Sequence, residues 1–263
     1  MTMPAPIPGP SATSSTSSSH TVPHEDTHAD LLRLGSRPYA DVWHLQQTRV
    51  EARLNDTCPD ALLLVEHEAV YTVGRRGQDA HWQGQQHAIE AAGIPLYRVD
   101  RGGSVTYHGP GQLVGYPIMK LRPPYPGPKG FVWRLEDILI RTLSDWSLAG
   151  FRRQGLHGVW TEQDGIPQKL AAVGIRLIRG VTMHGFALNV CLDLRPFEWI
   201  VPCGIDACRV TSMAALLGKP VSVEEVAAAL ATHFASGFEL TWISPSHGIP
   251  LSSRLETPYV ERT

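Results

Sequence analysis

A chain of 263 residues with 43% apolar and 18% charged side chains has the make-up of a globular protein of one domain. Its 24 Gly and 21 Pro fall short of a collagen or low-complexity composition. A net charge of −2 and a pI near 6.6 argue against a polyanion-binding surface, and no apolar run approaches the roughly 20 residues that cross a bilayer, so neither nucleic acid nor a membrane is an expected partner.

The first 28 residues hold 11 Ser or Thr and 5 Pro without one aromatic side chain, which predicts a disordered tail. Residues 29–243 then read as one α/β (α+β) domain, and the turn-rich stretch 244–263 as a loose C-terminal tail. Apolar spacing predicts a helix over 39–54, buried strands at 62–65 and 70–73, and a helix over 81–92 stopped by Gly93. Strands are predicted at 96–99, 105–108 and 113–118, with glycines between them. Val132, Leu135, Leu139, Leu143 and Trp146 share one face of a helix predicted over 132–149. Strands at 158–161, 170–178 and 183–190, a helix over 223–235 and a strand at 238–243 complete the pattern.

The four cysteines, Cys58, Cys191, Cys203 and Cys208, are too few and scattered for a disulfide framework. The N-terminus has neither the basic nor the apolar region of a secretory signal, so a reducing, cytoplasmic setting is expected.

Three features invite a chemical reading, and each has a plainer one. The segment Arg101 to Gln112 contains four glycines that let backbone approach a ligand, although glycines also build ordinary tight hairpins. It has neither dinucleotide-fingerprint nor P-loop spacing. Lys169 is one of only four lysines against nineteen arginines. A desolvated lysine gives up its proton and arginine does not, but a lysine at a strand end also simply reaches for water. Cys203 stands between Pro202 and Gly204, a bend that presents the sulfur as a nucleophile; most lone cysteines are small core residues. His108, His157 and His184 are possible bases for a Cys–His pair. Cys203 and Cys208 lack the second ligand pair a zinc site needs.

Six segments, taken together, resemble a known family. They are Gly74-Arg-Arg-Gly77, the Arg101 to Gln112 run, Leu156-His-Gly-Val-Trp160, Lys169-Leu-Ala-Ala-Val-Gly174, His184-Gly-Phe-Ala-Leu-Asn-Val190 and Val201-Pro-Cys-Gly-Ile205. In this order they resemble the octanoyltransferases of the lipoyl-biosynthesis pathway, the lipoate-protein ligase B family. The likeness runs from about Asp41 to Ala235. It implies a mixed sheet flanked by helices, as in the catalytic domains of biotin and lipoate protein ligases. The implied reaction moves an octanoyl group from octanoyl-acyl carrier protein to a lysine of lipoyl domains. The implied acceptors are 2-oxoacid dehydrogenases and the glycine-cleavage H protein. No cofactor and no metal are implied.

Matched by position, Cys203 takes the place of the family's acyl-thioester nucleophile and Lys169 that of the lysine that activates it. The acyl-substrate contacts fall on Arg101, Gly102, Gly103, Ser104, Val105, Thr106, Tyr107 and His108, on Ala172, Val173 and Gly174, and on Gly185, Phe186 and Ala187. Ser104 replaces the larger polar residue usual there. Backbone N–H groups of the glycine-rich segments are expected oxyanion donors. The competing expectation is an ATP-dependent lipoate- or biotin-type ligase, which shares the fold and needs no cysteine nucleophile.

Overall fold

The computed structural model describes residues 28–82, 85–121, 127–201 and 208–243. The expected N-terminal tail before residue 28, the expected C-terminal tail 244–263 and residues 202–207, with Cys203, lie outside the described residues.

The chain begins with β1 (His28–Arg37), α1 (Tyr39–Leu54), β2 (Asp60–His67) and β3 (Val70–Val73). A 3-10 turn at Asp79–His81 precedes α2 (Gln86–Ala91), β4 (Leu96–Arg98), β5 (Val105–His108), β6 (Gln112–Ile118) and α3 (Gly127–Ser144). There follow β7 (Phe151–Arg153), β8 (Leu156–Gln163), β9 (Ile166–Ile178) and β10 (Val181–Asn189). After a 3-10 turn at Arg195–Trp199 come β11 (Arg209–Val210), α4 (Met213–Leu217), α5 (Val223–Phe238) and β12 (Thr241–Ile243).

The main sheet runs β12-β1-β2-β6-β10-β9-β8-β7, with β11 alongside β9, and mixes parallel with antiparallel pairs. A smaller sheet, β4-β3-β5, packs its own core around Tyr71, Trp82, Val105, Tyr107 and Phe197. The apolar run on β2 follows from burial on both faces. Leu62 and Leu64 enter the core under α3 and α5, while Ala61, Leu63 and Val65 enter the core under α1. Continuous rather than alternating hydrophobicity is what a central strand covered on both sides requires.

Several expectations shift. Strand β1 has no counterpart in the sequence reading, because Asp30 near its start looks solvent-bound. It is buried and paired with Arg49 of α1 at 2.6 Å. The helix expected over 81–92 shrinks to α2. The third helix begins earlier and ends earlier than 132–149, since Gly127 and Pro128 suit a first turn and Ser147 takes a left-handed φ of 58°. Helix α5 runs on to Phe238, so the last strand is only Thr241–Ile243. Among the described residues, no helix is long and apolar enough to cross a membrane.

Candidate active site

The glycine-rich segment joins the two sheets. Gly102 N–H donates to Ile175 O at 3.0 Å, which ties the segment to β9, and the Gly74–Gly77 turn hydrogen-bonds back to Arg101, Gly103 and Ser104. The approach is too close for a side chain. A Cβ on Gly174 would stand 2.6 Å from Gly102 O. The same bond spends the Gly102 N–H, so that group is not a donor for a reacting carbonyl.

Between the segment and the paired strands β9 and β10 lies a cavity of about 510 Å³, counted out to solvent at its mouth and within the usual range for small-molecule clefts. Every residue expected to touch an acyl substrate lines it except Tyr107: Arg101, Gly102, Gly103, Ser104, Val105, Thr106 and His108 on one side, and Ala172, Val173, Gly174, Gly185, Phe186 and Ala187 on the other. Tyr107 points the other way on its strand and packs on Tyr71 and Phe197, with ring centroids 5.3 and 5.7 Å away. Sequence reasoning missed Tyr39, Val114 and Tyr116, which also line the cavity, because α1, β6 and the glycine-rich segment meet only in the fold. His184, singled out as a base and not as a lining residue, is there too.

Lys169 sits inside β9, not at its mouth, and is only 5% exposed. That removes the plainer reading of a strand-end lysine reaching for water. Its Nζ lies 5.1 Å from the ring centre of Trp160, its cross-strand partner on β8. Gly158 makes room for its stem: a Cβ there would stand 3.0 Å from Lys169 Cε and 2.2 Å from Ala171 O, and the backbone has φ +113°. The Gly158 N–H is held by buried Glu136 at 2.8 Å. Lys169 lines a second void of about 280 Å³ together with Gln112, Asn189, Phe197 and Val210. Thr106, Ala172 and Ala187 face both voids, so the two adjoin along one wall.

The described chain stops at Val201 and resumes at Cys208. Val201 N–H donates to His81 O at 2.8 Å, and His81 Nδ1 lies 2.5 Å from Ser104 Oγ on the cavity rim. On the other flank, Arg209 pairs with Gln168 and Val210 with Lys169.

The two buried histidines of the cavity wall, His108 and His184, are poor bases. Burial pushes His108 down to about 3, helped by neighbouring His67 and Arg101. His184 is also held near 3 by burial and by Arg101 and Arg176, even with Asp100 Oδ1 at 2.8 Å, because Arg176 shares that carboxylate. A group with so low a pKa drives proton abstraction weakly at neutral pH. His157 is exposed and faces Glu136 at 3.7 Å. Burial raises the Tyr39 and Tyr116 hydroxyls, so both stay protonated, and Tyr116 Oη bonds His67 Nε2 at 2.8 Å.

This is a largely apolar cavity with the Arg101 guanidinium and neutral polar groups in its wall and a buried lysine in the void that adjoins it. Residues 38–235 match the lipoyl protein ligase A/B catalytic domain. The chain belongs to that family. It is 44% identical over 214 residues to an octanoyltransferase of Syntrophotalea carbinolica, a match covering 81% of this chain and 96% of the relative. An octanoyltransferase of Synechococcus elongatus is 46% identical over 211 residues, covering 80% and 87%. Among solved structures, a bipartite lipoate protein ligase from Thermoplasma acidophilum superposes with a TM-score of 0.64 at 17% identity, covering 83% of this chain and 86% of that one. That last likeness is one of fold: a mixed sheet flanked by helices.

Proposed function

We propose that this protein is an acyltransferase of protein lipoylation that takes octanoyl from an acyl carrier protein thioester, holds it on Cys203 and passes it to the lysine of a lipoyl domain. The family and the octanoyltransferase relatives support the octanoyl reaction and a lipoyl-domain acceptor in general. One observation carries the site assignment: the apolar acyl cavity adjoins the Lys169 void, and the segment that holds Cys203 is flanked by Val210, which lines that void beside Lys169, and by Val201, bonded to His81, whose ring meets Ser104 of the cavity wall.

The chemistry balances in two transfers. Lys169 accepts the Cys203 thiol proton, and the thiolate attacks the octanoyl carbonyl. The carbon–sulfur bond to the carrier breaks, and the carrier thiol leaves with the proton from Lys169. The lipoyl-domain amine then attacks the enzyme thioester, an amide forms, and Cys203 leaves as a thiol, again with Lys169 relaying the proton. Each methylene buried along Val105, Val114, Val173 and Phe186 contributes about 0.8 kcal/mol, so an eight-carbon chain is held mainly by its tail. Thiol chemistry of this kind suits a reducing compartment such as the cytoplasm. The acceptors this reading implies are the lipoyl domains of 2-oxoacid dehydrogenases and the glycine-cleavage H protein.

Intact-protein mass spectrometry tests the reading. Mixed with octanoyl-acyl carrier protein and no ATP, the wild type is expected to gain one octanoyl group and lose it to an added lipoyl domain. Cys203→Ala should gain none, and Lys169→Arg should acylate at least about a hundredfold more slowly, because arginine does not accept the proton. A lipoyl domain modified only with ATP and free octanoate would give the protein to the ligase reading.

A further inference from the structure

From the rim of the acyl cavity to the strand that carries Lys169 runs a chain of buried polar groups that the transfer mechanism does not use. Arg101 Nη2 donates to Thr72 O at 2.6 Å and to Thr72 Oγ1 at 2.9 Å. Thr72 Oγ1 is 3.3 Å from His108 Nε2, and His108 Nδ1 is 2.7 Å from Gln112 Oε1. Gln112 Nε2 donates to Asn189 Oδ1 at 2.9 Å and to Tyr107 O at 3.3 Å. Asn189 Nδ2 donates to Thr211 O at 2.9 Å, and Thr211 N–H donates to Lys169 O at 3.0 Å. Thr72, His108, Gln112, Asn189 and Thr211 are all buried.

Only one arrangement of protons satisfies every link. A backbone carbonyl accepts, so Asn189 turns its amide nitrogen to Thr211 and its oxygen to Gln112. Gln112 then offers its own oxygen to His108, and His108 Nδ1 must carry the proton. The groups facing the His108 ring are Tyr39 of α1, His67 of β2, Gln112 of β6, His184 of β10 and Arg101, and no carboxylate is among them. The ring is therefore neutral and its Nε2 is bare. Thr72 gives Nε2 its single hydroxyl proton and keeps its lone pairs for Arg101, which only donates. All links point one way, from the guanidinium to the Thr211 carbonyl, and hydrogen bonds so aligned polarise and stiffen one another.

We infer that this one-way chain sets the glycine-rich wall, Arg101 to His108, in register with Lys169, and that Gln112 is its central positioning residue. For its effect on catalysis the inference rests on the octanoyl-transfer reading; the order of the protons stands without it. Two measurements on the full chain decide it. Nitrogen-15 NMR of the wild-type imidazoles is expected to show His108 as a neutral Nδ1–H tautomer that does not titrate from pH 5 to 8. An Nε2–H tautomer, or titration near the ordinary histidine value, overturns the chain even if the protein transfers octanoyl normally. In Gln112→Glu the new carboxylate accepts from His108 but has no proton for Asn189, and it favours the imidazolium. With an octanoyl thioester, kcat/KM should fall about tenfold at pH 7 and the acid limb of its pH profile should move to higher pH. An unchanged profile and kcat/KM would reduce Gln112 to a core residue. A wild type that transfers no octanoyl sinks the functional reading and leaves the NMR result to judge the chain.

Discussion

Ala187, like Ala172, faces both voids and presents no more than a methyl group where they adjoin. A branched side chain at this point of β10 would fill space that the acyl chain needs while staying compatible with a buried strand. Ala187→Leu is therefore expected to move the preference from octanoyl toward shorter acyl groups, read by competition between hexanoyl and octanoyl thioesters in one reaction. Each methylene excluded weakens octanoyl by about 0.8 kcal/mol, roughly a fourfold change. An unchanged ratio would mean that the chain does not pass Ala187. At this scale the sequence was most legible where a residue's type is its argument. Lys169 stood out as a lysine in an arginine-rich chain, and the glycines at 102, 158 and 174 stand where another backbone or the Lys169 stem comes close. Tyr39, Tyr116, Thr72 and Asn189 carry no such mark, because each gains its role from a partner far away in the chain.

At the scale of elements, β1 and α1 are fastened by ions inside the protein. Arg49 donates to Asp30 at 2.6 Å, and Arg53 to Asp60 at 2.6 Å at the start of β2. Removing one partner leaves an uncompensated buried charge, so Asp30→Ala should cost about 3–5 kcal/mol, seen as a lower urea midpoint at pH 7. Asp30→Leu combined with Arg49→Met should recover most of that loss, since an apolar pair needs no counter-ion. If the double variant is as unstable as Asp30→Ala, the ion pair is not what decides the docking of α1. These elements also show where pattern reading ends. The 39–54 helix and the strand at 105–108 match the observed α1 and β5 to the residue, because their apolar spacing matches their burial. Strand β1 escaped notice because a buried, paired aspartate has the letter of a surface residue.

For the whole molecule, the buried histidines couple stability to pH. His67 is held near 4 and His108 near 3, each below the usual 6.5 and each chiefly through burial. Above about pH 6.5 neither the folded nor the unfolded chain binds these protons, and stability is at its full value. As the pH falls from 6.5 toward 4 the unfolded chain takes up protons that the folded one refuses, so each histidine removes up to about 1.4 kcal/mol per pH unit. Denaturant midpoints should therefore drop from pH 7 to pH 5, and His67→Gln should flatten part of that slope; equal midpoints at both pH values would contradict the burial of neutral rings. The amino-acid order alone carried the class of fold, through local periodicity, and the family, through six spaced segments; Lys169 and Cys203 drew notice by type, and the resemblance gave them their proposed roles. The tertiary structure alone decided that Lys169 is buried mid-strand, that Tyr107 turns away from the cavity, and that a polar chain links Arg101 to the lysine strand. Those are contacts between residues up to a hundred positions apart. A side chain's type says what it is able to bond, and only the folded backbone says which partner is within reach.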